Sequence, residues 1–203
     1  MSTSRVAIID GCGANIASLR FALERLAVES ELTVDSETIR SASHVILPGV
    51  GAAADAMNRL RNAGLDRVIP ALTQPVLGIC LGLQLLFEAS DESDAECLGV
   101  LRGTARQFEP VADRPVPHMG WNRITRTQGG SAVTLLNDIP DGTYFYFVHS
   151  YALNVGAATV ASATYGWDFS AVIEQDNFVA TQFHPERSGA CGAVLLNNFL
   201  TCC

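Results

Sequence analysis

The ten residues PVLGICLGLQ, Pro75 to Gln84, decide how the rest of the chain is read. A short apolar run enters Gly78-Ile79-Cys80-Leu81-Gly82, and Leu81 to Phe87 then has the apolar spacing of a helix. Gly-x-Cys-x-Gly at a strand-to-helix corner has the form of a nucleophile elbow with cysteine in the reactive position. A side chain at such a corner sits on strained backbone, and the flanking glycines let neighbouring strands and a substrate come close. The first amides of the following helix aim partial positive charge at the sulfur and offer donors to a developing oxyanion. The plainer alternative is a small buried cysteine filling a tight turn. Glycine on both sides weighs against it.

Working outward, the chain before this corner alternates strands and helices. Arg5 to Ile9 reads as a buried strand. A glycine turn, Asp10-Gly11-Cys12-Gly13-Ala14-Asn15, follows it, and Asn15 caps a helix marked by Ile16, Leu19, Leu23 and Leu26. A second strand is expected around Leu32 to Val34, a third at His44 to Leu47, helical stretches across Ala53 to Ala71, and a fourth strand at Pro75 to Ile79. That order implies an α/β fold whose central, mostly parallel sheet is flanked by helices. From Gly99 onward strand follows strand: Val100 to Phe108, Trp121 to Thr125, Thr143 to Val148, Thr159 to Tyr165, Ala171 to Glu174 and Phe178 to Phe183. These are expected to add antiparallel strands in the C-terminal half before a closing helix, Ala190 to Leu200. With no repeat and no linker, residues 1–203 read as one domain whose halves share a sheet system.

Composition narrows the function classes. With 48% hydrophobic residues the chain can fill a core, and a net charge of -8 offers no basic footprint for nucleic acid. No apolar run reaches the length of a membrane span or has the flanks of a signal peptide, so a soluble, cytoplasmic protein is expected. Six cysteines without CxxC spacing point to reduced thiols, and no metal or cofactor is expected.

A thiol nucleophile needs a base, and FVATQFHPE, residues 178 to 186, supplies a candidate. Proline restricts the residue before it, which fixes His184 at a strand end. In extended backbone, positions two apart share a face, so Glu186 can reach the imidazole and hold its tautomer. After the third strand comes Pro48-Gly49-Val50-Gly51, where two glycines allow a peptide to turn its N–H into a site or away from it. The Val50 amide, with the Leu81 amide, is a candidate oxyanion hole. Gln84 lies one helical turn beyond Cys80 and projects from the same helix face.

Taken together, these residues resemble the class I, triad-type glutamine amidotransferases, along essentially the whole chain. PHMGWN at 117 to 122, YFYFVHSY at 144 to 151 and QFHPERSG at 182 to 189 are most similar to the glutaminase subunits of imidazole glycerol phosphate synthases. The resemblance implies a flavodoxin-like fold, Cys80 as nucleophile, His184 as base and Glu186 as its orienter. It implies that Gly51, Gln84 and the backbone at Ser150 and Tyr151 bind L-glutamine. It also implies an interface built from Asn15, His118, Met119, Gly120, Trp121 and Asn122, with the Tyr146 to Ser150 region, toward a (β/α)₈-barrel cyclase that accepts the ammonia in a heterodimer of histidine biosynthesis. Ordinary strand packing is the alternative for that segment, since Trp121, Phe145 and Phe147 alternate as core residues do. Many members have Tyr-Gly-x-Gly-Asn where this chain has Asp10 to Asn15, which leaves Cys12 without a role. A glutaminase of another synthase, a cysteine hydrolase on the same fold and a non-catalytic scaffold remain as rivals.

Overall fold

Successive residues of a strand face opposite sides of its sheet, and here both sides are apolar. Val6 and Ile8 belong to one buried cluster, Ala7 and Ile9 to another. A sheet of that kind has to be covered on both faces. The computed structural model, which describes residues 5–11, 16–127 and 134–203, covers it with helices. In chain order the first part comprises β1 (Arg5–Ile9), α1 (Ile16–Arg25), β2 (Glu29–Thr33), α2 (Ser36–Ser41), β3 (His44–Gly49), α3 (Ala53–Asn62), α4 (Leu65–Val68), β4 (Val76–Cys80) and α5 (Leu81–Leu85). The second comprises β5 (Ala89–Ser90), β6 (Ala95–Glu96), β7 (Thr104–Gln107), β8 (His118–Arg123), β9 (Thr125–Arg126), β10 (Tyr144–His149), β11 (Tyr151–Ala152), β12 (Thr159–Thr164), β13 (Asp168–Gln175), β14 (Phe178–Thr181) and α6 (Gly189–Cys202).

The main sheet has eight strands in the order β2-β1-β3-β4-β14-β13-β12-β9. It is parallel from β2 to β14 and antiparallel from there to β9. Leu19 and Leu23 of α1 and Phe199 of α6 pack with Val6, Ile46 and Leu77 on one face. Met57 and Leu60 of α3 and Leu83 of α5 pack with Val45 and Leu47 on the other. Strands β3 and β14 flank β4 in parallel, with Gly49 opposite Cys80 and Thr181 opposite Ile79, so the carboxyl ends of three neighbouring strands lie together. Open α/β sheets place their sites at such ends.

The structure departs from the sequence reading in particular places. Both halves contribute to the main sheet, but β10 pairs only with β8, and β11-β7-β5-β6 form a further small sheet. The strand expected over Val100 to Phe108 is reduced to Thr104–Gln107. Before it, the N–H groups of Leu98, Gly99 and Leu101 donate to the carbonyls of Leu85, Phe87 and Leu86, so this stretch closes the end of α5 instead of pairing with a strand. Helix α2, capped by Asp35 accepting from the Thr38 N–H at 2.8 Å, and the short β5 and β6 were not anticipated. Cys12 and Asn15 lie outside the described residues.

Candidate active site

Cys80 ends β4 and precedes the first residue of α5, with φ +54° and ψ −106°. A non-glycine residue held there is strained by roughly 1–3 kcal/mol, which surrounding packing has to offset. That packing depends on the neighbouring glycines. A Cβ on Gly82 would lie 1.8 Å from the Leu47 carbonyl oxygen, and one on Gly78 would lie 3.0 Å from the Ala180 Cβ. Helix α5 therefore starts directly against β3, and the sulfur is held at the corner, nearly buried.

His184 is positioned by a different strand. Its N–H donates to the Tyr146 carbonyl of β10 at 2.9 Å. The Ser188 hydroxyl donates to the His184 carbonyl at 2.7 Å and accepts from the Tyr146 N–H at 3.0 Å. Proline at 185 starts a 3-10 turn, Pro185–Arg187, and this turn, not extended backbone, brings Glu186 round to the ring. Glu186 Oε1 lies 2.8 Å from His184 Nδ1, and both side chains are buried. The other ring nitrogen, Nε2, is buried without a hydrogen-bond partner among the described residues. Burial opposes charge on His184, but the Cys80 sulfur and then the Glu186 carboxylate outweigh it and push its pKa up to about 10. Strand β10 reaches the cysteine as well, because the Val148 carbonyl stands 3.7 Å from Cys80 Sγ.

Cys80 opens on a cavity of about 440 Å³ whose wall includes Gly51, Leu81, Gln84, Glu92, Ser150 and Tyr151. Val50 borders the same cavity, 40% exposed, and Gly51 follows it at φ +91°. Gln84 Nε2 donates to the Tyr151 carbonyl at 2.9 Å and to Gln182 Oε1 at 3.2 Å, and Gln182 Nε2 stands 3.7 Å from the Cys80 sulfur. The fully buried Gln182 and the half-buried Glu92 were not singled out from the sequence, and His149, expected in the interface region, is buried. Gln182 directly precedes Phe183-His184-Pro185, which was its only local signal. Among the described residues no cluster of three or more His, Cys, Asp or Glu side chains could hold a metal ion.

The 118–122 segment divides by alternation. Met119 and Trp121 point outward at 67% and 57% exposure, opposite Val148 and Tyr146 of β10. His118 faces inward and is buried, and Asn122 on the same side donates to the Thr164 carbonyl at 3.0 Å. Phe145 and Phe147 are core residues, but Trp121 is not, so its alternation with them does not mark a shared core.

The family model for glutamine amidotransferase class I matches residues 8–202. A protein of Xylella fastidiosa (strain Temecula1) named imidazole glycerol phosphate synthase subunit HisH is 48% identical over 197 residues, 97% of each chain. A protein of the same name from Xanthomonas euvesicatoria pv. vesicatoria is 49% identical over 195 residues, 96% of each. Among solved structures, a putative GMP synthase component from Thermoplasma acidophilum aligns with TM-score 0.73 at 16% identity, covering 98% of this chain and 94% of that one. PurLQS from Thermotoga maritima aligns with TM-score 0.67 at 18% identity over 98% of both chains. At those identities the two structures speak for the fold alone.

Proposed function

The chain belongs to the class I glutamine amidotransferase family, and from that premise we propose that Cys80, His184 and Glu186 hydrolyse the side-chain amide of L-glutamine. It acts as the glutaminase subunit of an imidazole glycerol phosphate synthase, an assignment supported by its likeness to the HisH proteins. One observation carries the chemistry: a cysteine on a strained strand-to-helix corner lies close enough to a buried histidine for its sulfur to raise that histidine's pKa, and the histidine's Nδ1 is held 2.8 Å from a carboxylate.

In this reading Cys80 gives its proton to His184 Nε2, and its sulfur attacks the side-chain carbonyl carbon of glutamine. The carbonyl oxygen takes up the electron pair, stabilised by the Val50 and Leu81 amides. As the tetrahedral intermediate collapses, the carbon–nitrogen bond breaks, His184 returns its proton to the leaving nitrogen, and ammonia departs from a γ-glutamyl thioester. Water, giving a proton to His184, attacks the thioester; the carbon–sulfur bond breaks, and glutamate and free Cys80 result. Glu186 keeps the proton on Nδ1 and balances the imidazolium. The Val50 amide turns into the site in the substrate-loaded complex; a structure of that complex with the amide facing away counts against this step. Gly51, Gln84 and the backbone at Ser150 and Tyr151 hold the substrate, and the Glu92 carboxylate in the cavity wall suits its α-ammonium group.

The partner is a (β/α)₈-barrel cyclase in a heterodimer, and its docking surface is the outward face of β8 and β10. Met119, Trp121 and Tyr144 are exposed there, and large exposed apolar side chains on one face mark an interaction site. That face runs into the active site at Val148, whose carbonyl borders Cys80. Trp121→Ala is expected to weaken the complex by about 2 kcal/mol, roughly 30-fold in Kd, without altering the fold of the free chain. A cytoplasmic location fits the described cysteines, all free thiols, and no described helix is long and apolar enough to cross a membrane.

The direct test of the nucleophile is an electrophilic glutamine analogue followed by peptide mass spectrometry. Label on Cys80 alone, absent from Cys80→Ala, is the expected result. Labelling unaffected by that substitution would remove Cys80 from the mechanism.

A further inference from the structure

Behind the cavity wall runs a chain of buried polar groups that the proposed reaction does not use. His149 Nδ1 lies 2.9 Å from the Tyr151 carbonyl, which can only accept, so Nδ1 carries the proton. Burial pushes the His149 pKa down to about 3, so its Nε2 keeps a lone pair. His118 Nδ1, 2.9 Å away, must therefore donate to it. His118 is held neutral in the same way, at about 4, and its Nε2 accepts from Asn122 Nδ2 at 3.4 Å. The Asn122 amide cannot be reversed, since Nδ2 donates to the Thr164 carbonyl at 3.0 Å and Oδ1 accepts the Arg123 N–H at 2.8 Å. Every tautomer is thus dictated, and all the donors run one way, from β8 toward the cavity.

A second arm meets the first at the Tyr151 carbonyl. Gln84 Nε2 donates there at 2.9 Å and uses its other hydrogen on Gln182 Oε1 at 3.2 Å. The atom of Gln84 left for a ligand is Oε1, an acceptor for a donor on the substrate. The setting makes two imidazoles conspicuous. His118 is stacked between Phe147, at 5.1 Å between ring centroids, and Tyr165, at 4.1 Å. His149 lies edge-on to Phe108 at 5.4 Å and Phe169 at 5.1 Å. Phenylalanine would fill this aromatic box without desolvating ring nitrogens, so packing alone does not call for histidine.

We propose that His118 and His149 are positioning residues of the glutamine site: they fix the Tyr151 carbonyl and, through it, the Gln84 amide, so that Gln84 Oε1 faces the substrate and Gln182 stays directed at the Cys80 sulfur. This rests on the reading of the cavity as the glutamine site. It separates the two faces of β8, assigning Met119 and Trp121 to docking and His118 and Asn122 to the pocket.

The test is glutamate release by the assembled complex with the barrel cyclase and its nucleotide ligand, measured across glutamine concentrations. His149→Phe keeps the ring and removes the donor; it is expected to raise KM for glutamine about fivefold to tenfold while kcat changes less than about threefold. His149→Asn, whose amide nitrogen stands where Nδ1 stood, is expected to recover most of that loss, which a purely structural role would not explain. His118→Phe leaves the donor on Tyr151 and removes only what orients it, and is expected to raise KM about twofold to threefold. An unchanged KM in His149→Phe, or a His149→Asn enzyme no better than His149→Phe, overturns the relay. If His149→Phe does not fold, His118→Phe decides, and a KM unchanged from wild type in that variant overturns the relay. Wild-type complex that releases no glutamate overturns the glutaminase reading itself, and the relay with it.

Discussion

Two histidine centres lie within one buried region and have opposite electrostatics. His184, against a carboxylate and a thiol, is pushed up to about 10, whereas His149 and His118, among aromatic rings and each other, are pushed down to about 3 and about 4. Burial acts on all three in the same direction, disfavouring charge. The sign is set by what each ring meets: the Cys80 sulfur and then Glu186 Oε1 at 2.8 Å for His184, and a neutral carbonyl at 2.9 Å for His149. One ring can therefore hold and move a proton while the other two serve as fixed hydrogen-bond parts. His44, buried at the start of β3 edge-on to Phe199, is likewise lowered by burial and is far along its strand from the site.

The strongest way to break this contrast is to take the anion from His184. Glu186→Gln is expected to lower kcat for glutamate release by about 100-fold or more, because the tautomer and the imidazolium both lose their support. Kinetics close to wild type would show that Glu186 does not orient the base. Stability should follow the two signs. His184 favours the folded chain fully below its ordinary value of 6.5, and this contribution fades as pH rises toward about 10. His149 behaves in the opposite sense: its folded value lies below 6.5, so stability is lost as pH falls from about 6.5 toward about 3. That acid loss amounts to at most about 1.4 kcal/mol per pH unit, and His149→Phe is expected to remove it. Thermal melts from pH 7 to 4.5 should therefore show wild type losing more stability than the variant as pH falls; parallel curves would contradict the assignment of a neutral buried His149. The smallest effect belongs to His44→Phe, which should change glutamate release by less than about twofold, since nothing ties that ring to the cavity. A larger loss would mean that the two ends of β3 are coupled in a way the geometry does not explain.

What the sequence made legible were features whose cause is local. The corner at Cys80 is written in consecutive residues, because Gly78 and Gly82 are required by backbone approaching within van der Waals distance. The same holds for His184 and Glu186, although proline starts a 3-10 turn there and the pair meets across that turn. The parallel half of the sheet follows from the alternation of apolar strands and helices. Contacts between distant segments were not legible. The Val148 carbonyl reaches Cys80 across 68 residues, and Gln84 reaches Gln182 across 98. No local pattern marks either. The facing of β8 was hidden for a related reason: an aromatic alternating with phenylalanines on a paired strand reads as core, and only the pairing of Trp121 with Tyr146 shows it outward.

In the proposed function this chain releases ammonia from glutamine for a barrel cyclase partner. The measurement that tests it most directly is glutamate formed from glutamine by the purified chain, on its own and mixed with a barrel cyclase plus the nucleotide ligand of that cyclase. Little release by the chain on its own is expected, with strong stimulation in the mixture and none from Cys80→Ala in either. Release unaffected by the barrel would contradict the partner assignment, and release that survives Cys80→Ala would contradict the mechanism.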